Sequence, residues 1–431
     1  MKADSLAWFR VLETFASVFS SPSFTLFCSL SAAWALCTGR HTMTRIYQVG
    51  EPDGRRAHDA YHRFFRCGAW RLEELWRHLA VLLVESMYPG GPVVALMLDD
   101  TTFHKTGRKI VGASWWRDAV RSTATRTVHC FGLNLVVLSL EIAPPWGGEP
   151  LALPLNVRVH IKGSETLLQQ AQEMLCQLAA WMPARHFILT ADGSFAPLAG
   201  AFLPRTTLIS RIRHDAALYQ LPRRPRRPTR GRPRTKGPRL PSPSRFVPSE
   251  RQWQRATLNI RGKQIERLLF SRVVLWYHVC PKQPILLVIC RDPTGKQKDD
   301  FFFATDVTME AACVVEHYAS RWAIEDTFKN VKQYLGAEDP QLFAQQGPQR
   351  AAAFSFWMYS AVWYWYLNRR PSTMTWIPLP WYATKAAPSF VDALASLRRT
   401  LWSSRIFQSS GKPALTARNA RVLIEALAYS A

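Results

Sequence analysis

The feature of this sequence that most limits its fold is a pair of short apolar runs that each lead to an acid. One run, "PVVALMLDD", ends on Asp99 and Asp100, and a second, "HFILTADGSF", contains Asp192. Runs of this length are typical of strands buried on both faces. The stretch "ETLLQQAQEMLCQLAAWM" predicts a helix between them, and "HCFGLNLVVLSLEI", "LNVRVHI" and "TTLISRI" predict further strands. Strands mixed with helices predict an α/β core with a mixed sheet.

Changes in composition and in hydrophobic periodicity along the chain divide it into five predicted parts. The first part is helical, because apolar residues repeat there at three- and four-residue spacing. The second carries the strands and the acids, the third is basic and then β-rich, and the last two are mainly helical. The predicted boundaries are 1–90, 91–213, 214–305, 306–340 and 341–431.

The charge of the chain favours a polyanionic partner. There are 55 Lys and Arg residues against 31 Asp and Glu residues, a formal net charge of +24. A field of this size attracts nucleic acid or an anionic membrane surface. The hydrophobic fraction of 48% is typical of a folded protein rather than a disordered one.

Two uncharged stretches, 14–39 and 351–367, raise the question of membrane insertion. Pro22 interrupts the first, and the second is shorter than the roughly 20 apolar residues that a spanning helix needs. We therefore expect buried helices, no membrane partner and a soluble, cytoplasmic protein. The eight cysteines form no CxxC pair and no tight cluster with histidines along the chain, so they predict buried thiols in a reducing compartment, not a zinc site.

Residues 222–248 form a basic segment with eight prolines, ten Lys or Arg residues and no acid. This composition does not build a core, so the segment is predicted to be extended and mobile. One interpretation is a solvated linker. The other is that arginines spaced by prolines, among them Arg224, Arg227 and Arg230, follow the phosphates of DNA.

The segment "YASRWAIEDTFKNVKQYLG" carries Tyr318, Arg321, Glu325 and Lys332. In one continuous helix each residue turns by about 100°, so these four side chains would share one narrow face beside an apolar stripe. The plain interpretation is a solvated face with one Arg321–Glu325 ion pair. The other is that Glu325 meets the strand acids, because a helix that crosses the strand ends can add a third carboxylate to them.

Three carboxylates at one place would suit a divalent cation. Hard oxygen ligands are preferred by Mg²⁺ and Mn²⁺. Two such ions about 3.5–4 Å apart can activate a water or a 3′-hydroxyl and stabilise the leaving oxygen in phosphodiester transfer. Asp99 and Asp100 point to opposite faces of a regular strand, so only one of them can face such ions.

These motifs together resemble the DDE-type transposases of bacterial insertion sequences, in the branch with the Y-(2)-R-(3)-E-(6)-K signature. The four residues of the signature match that spacing at every position, and "LDDTTFHKTG" and "ILTADGSF" are similar to the two acid motifs. The resemblance covers nearly the whole chain. It implies an α/β, RNase H-like mixed-sheet catalytic core interrupted by a β-rich insertion, with an α-helical N-terminal domain that binds DNA ends and a helical C-terminal segment.

The resemblance also implies roles for individual residues. Asp100, Asp192 and Glu325 would hold two Mg²⁺ or Mn²⁺ ions, and Asp100 is preferred to Asp99 as the first ligand. The DNA-contacting residues would be Tyr318, Arg321 and Lys332. Trp253 or Trp276 of the insertion would stack on a displaced base, although aromatics in strands more often belong to the core.

The function that follows is cleavage of DNA at the ends of an element and joining of its 3′-ends to a target. Two ends must be held together, so a homodimer on transposon-end and target DNA is expected. Two alternatives stay open at this point. One is a DNA-binding relic of such an enzyme that no longer cuts, and the other is an RNase H-like host nuclease.

Overall fold

A mixed ten-stranded sheet organises the part of the chain that the computed structural model describes, namely residues 2–118, 121–123, 125–222, 234–246, 248–369, 374, 376, 384–408 and 417–429. The strands are β1 (Val93–His104), β2 (Ser114–Arg117), β3 (His129–Ile142), β4 (Leu151–His160), β5 (His186–Ala191), β6 (Thr206–Arg211), β7 (Gln254–Ile260), β8 (Lys263–Val274), β9 (Ile285–Arg291) and β10 (Asp300–Ala304). Their order is β2-β3-β1-β5-β6-β10-β9-β8-β7, and β4 pairs with β3. The predicted α/β class with a mixed sheet is confirmed.

The centre of the sheet is β1, which pairs in parallel with β5 and antiparallel with β3. Its first half is apolar and buried on both faces, as the run "VVALML" predicts. The strand does not end at Asp99 and Asp100, as the sequence had suggested, but continues to His104. The reason is that β3 keeps pairing with β1 as far as His104, whereas β5 stops at Ala191.

The β-rich residues predicted as an insertion extend this same sheet. Strand β10 pairs antiparallel with β6 on one side and with β9 on the other, and β8 and β7 follow as a meander. A smaller apolar cluster of its own, which includes Ile209, Leu258, Phe302, Val314 and Tyr318, lies on this half. The β1 half and the insertion half therefore share hydrogen bonds across β6. One face of the insertion strands carries the smaller cluster, whereas residues of the other face, such as Phe270, Leu287 and Phe303, belong to the main core.

The helices surround the sheet unevenly. They are α1 (Lys2–Glu13), α2 (Ser21–Leu36), α3 (Met43–Gly50), α4 (His58–Cys67), α5 (Leu72–Met87), α6 (Leu167–Trp181), α7 (Ala311–Ser320), α8 (Ala323–Tyr334), α9 (Gly347–Leu367), α10 (Phe390–Gln408) and α11 (Ala417–Ala428). The N-terminal and C-terminal helices form one body. The ring of Phe27 lies 4.9 Å from that of Trp357, and Arg398 donates to the carbonyl of Ala35 at 2.7 Å.

Helix α9 is buried around nearly its whole circumference, including the aromatic residues Phe354, Trp357 and Trp363. Its contacts with β4, α4 and α10 explain why so apolar a sequence forms a core helix here. None of the helices in the described ranges combines the length and apolar character that crossing a membrane requires.

Candidate active site

The signature segment forms two helices, so the prediction of one continuous helix is wrong. Helix α7 ends at Ser320 and α8 begins at Ala323. Between them the hydrogen bonds tighten to three-residue spacing, with Ile324 N donating to Arg321 O and Glu325 N donating to Trp322 O, each at 3.0 Å. A turn of this kind rotates α8 relative to α7, since the 3₁₀ geometry has fewer residues per turn.

Arg321, at this junction, gathers three carboxylates. Its Nη1 pairs with Asp99, and its Nη2 lies 3.3 Å from Glu325 Oε1 and 4.0 Å from Asp192 Oδ1. The guanidinium side chain is only 10% exposed, whereas those of Asp192 and Glu325 are about 40% exposed. The structure therefore places Glu325 and Asp192 together at the central strand β1, around the buried guanidinium of Arg321.

The sheet register accounts for this meeting. Leu98 lies opposite Ala191 in the parallel β1–β5 pair, so the next residues along the two strands are Asp99 and Asp192. Asp192 also begins a 3₁₀ helix, Gly193–Gly200, whose Ser194 N donates to its carboxylate at 3.4 Å. The Ser210 hydroxyl donates to the Asp192 carbonyl at 3.0 Å and ties this turn to β6.

The two adjacent aspartates have different partners. Asp99 uses both carboxylate oxygens, because one pairs with Arg321 and the other accepts from Asp100 N at 2.9 Å. Asp100 accepts a hydrogen bond from Asn134 Nδ2 at 3.2 Å. The structure thus places Asp99, rather than the preferred Asp100, against Arg321, and the negative charge of Asp192 acts on both.

Burial disfavours the ionised form of Asp99 and Asp100. It raises the pKa of Asp99 to about 7, with Arg321 acting in the opposite direction. Burial also raises the pKa of Asp100 above its usual value, and the hydrogen bond from Asn134 acts against that rise. Carboxylates held in this way favour a nearby cation, because a cation stabilises the charged form that burial penalises.

Lys332 and Tyr318 lie on opposite sides of this centre. Lys332 Nζ donates to Thr102 O at 2.9 Å, and burial lowers its pKa against the effect of Glu338. Tyr318 is buried against Phe302, with ring centroids 4.8 Å apart. The four signature residues therefore do not share one face. Tyr318 and Glu325 lie beside Arg321, whereas Lys332 lies next to Glu338.

A cavity of about 280 Å³ opens beside the acids on the insertion half. Arginines and aromatic rings line it, among them Arg211, Arg261, Tyr318 and Trp322. Trp322 is 48% exposed, and the Arg261 guanidinium lies 5.3 Å from the centre of its ring. Sequence reasoning missed both residues, although the tryptophan that directly follows Arg321 in the motif was a visible candidate.

The tryptophans chosen from the sequence are less open. Trp276 is 8% exposed and packs against Phe303 at 5.5 Å, so it belongs to the core. Trp253 is partly buried, with the Arg291 guanidinium 4.4 Å from its ring centre. Both rings are thus engaged within the protein.

Arg224, Arg227 and Arg230 of the basic segment lie outside the described residues. In the part from 234 to 246 most residues are not buried and the chain is extended at Arg239, which bridges to Tyr219, but single residues pack onto the core. Leu240 is buried and its N–H donates to Leu218 O at 2.8 Å. Lys236 lies 4.3 and 4.4 Å from the rings of Tyr219 and Tyr277. These local contacts offset the cost of ordering a Pro-rich chain.

Comparison with known proteins points to one family. A family model described as DDE superfamily endonuclease matches residues 28–271. The match contains Asp99, Asp100 and Asp192 and ends before the helices that carry Arg321 and Glu325. No curated protein shows a significant match.

Proposed function

The chain belongs to the DDE superfamily endonucleases, which are metal-dependent nucleases, and we propose that it is a DNA transposase. It cleaves the ends of an insertion sequence and joins them to target DNA. The observation that carries this proposal is the meeting of Asp99, Asp192 and Glu325 at Arg321, with Asp100 next to Asp99 on the same strand. A nuclease of the family needs acids at one point. The basic and aromatic cavity beside them indicates that the protein also binds the DNA next to the cleavage point.

The donor set fits divalent metal ions. Asp100, Asp192 and Glu325 offer hard oxygen atoms, and two of these three side chains are open enough to be reached from solvent. Asp100 is favoured over Asp99 as a ligand because both oxygens of Asp99 are already engaged within the protein. When bound, Mg²⁺ or Mn²⁺ ions supply an activated water or 3′-hydroxyl and stabilise the leaving oxygen.

Arg321 then has a second task. In the structure its guanidinium pairs with carboxylates, and if divalent ions occupied these acids, Nη2 would be available to bind a phosphate. Arginine suits this exchange, because its planar fork pairs with carboxylate and phosphate in the same bidentate manner. Asp99 pairs with Nη1, one arm of this fork, so we assign it the positioning of Arg321.

The remaining basic residues bind and orient DNA. Lys332 lies on the β1 side of the acids, and Arg211 and Arg261 line the cavity on the other side. Trp322, at the mouth of the cavity, offers a flat face on which a base can stack. With a net charge of +24, binding to terminal DNA should weaken steeply with salt. Two ends are joined at once, so the active form is a homodimer on DNA.

An excision assay tests this proposal. A marker flanked by the native flanking DNA of the gene is exposed to wild-type protein with Mg²⁺ or Mn²⁺, and to the Asp100→Asn and Asp99→Asn variants. We expect excision by the wild type, a loss on the order of 1,000-fold for Asp100→Asn, and a smaller loss for Asp99→Asn. The reverse ranking would move the metal ligand to Asp99.

Two other outcomes lead to different functions. Tight binding of the flanks without cleavage in either metal would indicate a DNA-binding relic. Cleavage of RNA–DNA hybrids or junctions without dependence on terminal sequence would indicate an RNase H-like host nuclease. The cavity on the insertion half favours the transposase, because a nuclease that only cuts a duplex has no need to hold a displaced base.

A further inference from the structure

A second group of metal-binding side chains lies away from the acids, at one end of the sheet. A ring nitrogen of His104, a carboxylate oxygen of Asp118 and the sulfur of Cys130 all lie within 4.8 Å of one another. Three neighbouring strands supply them. His104 is the last residue of β1, Cys130 is the second of β3, and Asp118 follows β2 directly.

The strand register makes this convergence a property of the sheet. Gly132 lies opposite His104, so Cys130, two residues away, faces the same side of the sheet. Trp116 lies opposite Cys130, and Asp118 is two residues beyond Trp116, again on that side. The Asp118 N–H donates to Val128 O at 2.9 Å, so the ladder still holds the chain at this point.

We propose that His104, Asp118 and Cys130 form a binding site for a divalent cation of the Zn²⁺ class. An imidazole nitrogen, a thiolate and a carboxylate are all established zinc ligands, whereas Mg²⁺ avoids sulfur. With metal–ligand bonds of about 2.0–2.3 Å, ligand atoms of a tetrahedral site lie about 3.5 Å apart. The three side chains therefore have to close by about 1 Å, which small side-chain rotations achieve.

An entry path to the site is present. Glu338 Oε1 lies 3.6 Å from His104 Nδ1 but is outside the group of three and accepts from the His104 backbone N–H at 2.8 Å, so a water is expected as the fourth ligand. The His104 side chain is 46% exposed, so an ion can reach it from solvent. Arg121 pairs with Asp118 at 3.6 Å, but its side chain is 70% exposed and can turn into water when a cation arrives.

The site adjoins the proposed catalytic centre without sharing a ligand with it. Lys332, which donates to Thr102 O, also lies 4.0 Å from Glu338 Oε1. A cation held between β1, β2 and β3 would fasten the short edge strand β2 to the strand that carries the acids. It would thereby fix the surface next to Lys332.

Cobalt substitution tests the site with a readout independent of catalysis. Full-length protein, freed of metal with EDTA, is titrated with Co²⁺ and followed in the near ultraviolet and visible. We expect a thiolate-to-cobalt charge-transfer band that saturates at one equivalent, is removed by Zn²⁺ and persists in excess Mg²⁺. Mg²⁺ competition separates this site from the oxygen-only acids, which cannot produce such a band.

Single-residue variants test which side chains give rise to the charge-transfer band. Cys130→Ser should abolish it, and the matched control Cys67→Ser, which changes an exposed thiol elsewhere, should keep it. His104→Ala should weaken Co²⁺ binding by at least about 10-fold. Because His104 is exposed, that variant keeps the test decisive even if Cys130→Ser does not fold. Absence of the band in the wild type, or unchanged Co²⁺ affinity in His104→Ala, would overturn the proposal.

Discussion

Helices α7 and α8 carry one spaced signature but belong to different halves of the molecule. Helix α7 packs on the insertion half, where Tyr318 lies against Phe302 within the smaller apolar cluster. Helix α8 packs on the β1 half, where the Thr327 hydroxyl donates to Ala152 O at 2.7 Å and Lys332 reaches Thr102 O. The signature therefore spans the boundary between the insertion half and the β1 half and does not form a single helix face.

The difference teaches what Arg321 does. It lies in the tight turn between the helices, with its guanidinium on the acids of the β1 half and beside the ring of Tyr318 on the insertion half. A change in the charge of the acids alters the electrostatic environment of this one side chain. We therefore propose that cation binding on one half and DNA contact on the other are linked through Arg321.

The largest expected effect comes from the acids of the β1 half. Asp192→Ala or Glu325→Gln should lower excision on the order of 1,000-fold, because each removes several kcal/mol of transition-state charge stabilisation. Asp326→Asn is the matched control, since Asp326 is exposed and pairs with Asn330 on the same helix. Equal losses in the control and in Glu325→Gln, measured in the same excision assay, would break the assignment of the chemistry to this half.

The contribution of Arg321 to the stability of the protein should depend on metal. Arg321→Ala leaves the buried Asp99 carboxylate without its cation, so it should lower the free energy of unfolding by about 3 kcal/mol in EDTA. The loss should shrink in Mg²⁺, because bound cations replace the missing charge. Denaturant titrations with and without Mg²⁺ measure both values.

A matched arginine controls this measurement. Arg291→Ala removes the partner of Asp299 on the insertion half, where the ion pair spans 2.7 Å. Its effect should be the same in EDTA and in Mg²⁺. If the loss in Arg321→Ala is equally indifferent to Mg²⁺, the link between cation and Arg321 does not exist.

The insertion half should contribute through stacking. Trp322→Ala should weaken binding of terminal DNA about 10-fold, since a base stacked on an aromatic ring is worth about 1–3 kcal/mol. Fluorescence anisotropy at fixed salt measures the affinity. Phe202→Ala, which removes a 75% exposed ring elsewhere, should leave the affinity unchanged. A loss of similar size in both variants would remove Trp322 from the DNA contact.

The smallest effect concerns Glu141, a buried carboxyl of β3. Burial raises its pKa from 4.5 to about 7, and Ser320 at the end of α7 acts against that rise. The folded protein therefore binds this proton more tightly than the unfolded chain does. Its contribution to stability is complete below about pH 4.5 and is lost as the pH rises to about 7.

Glu141→Gln should consequently stabilise the protein at pH 8, by roughly 1–3 kcal/mol, and have little effect at pH 4.5. Chemical denaturation at the two pH values tests this. Glu149→Gln, at an exposed residue paired with Arg261, should change stability by less than about 0.5 kcal/mol at either pH. A gain for Glu141→Gln that is the same at both pH values would contradict the raised pKa.

Sequence patterns predicted much of the site because the relevant signals are local. Apolar runs of strand length located β1 and β5, and the acid after each run followed from the same pattern. The spacing from Tyr318 to Lys332 pointed to a segment whose Arg321 and Glu325 the structure places beside Asp99 and Asp192. The break at Arg321 was not predictable, because both sides of it have good helical periodicity and only packing against two different surfaces bends the chain there.

By itself, the sequence determined the α/β class, the positions of the acids and the strongly basic character of the chain, because each depends on composition or on short-range periodicity. Tertiary structure alone decided which aspartate meets Arg321, that Trp276 is buried while Trp322 is open, and that His104, Asp118 and Cys130 lie together. These facts depend on strand register and helix docking. Register joins residues that are far apart along the chain, and no local pattern records which of them become neighbours.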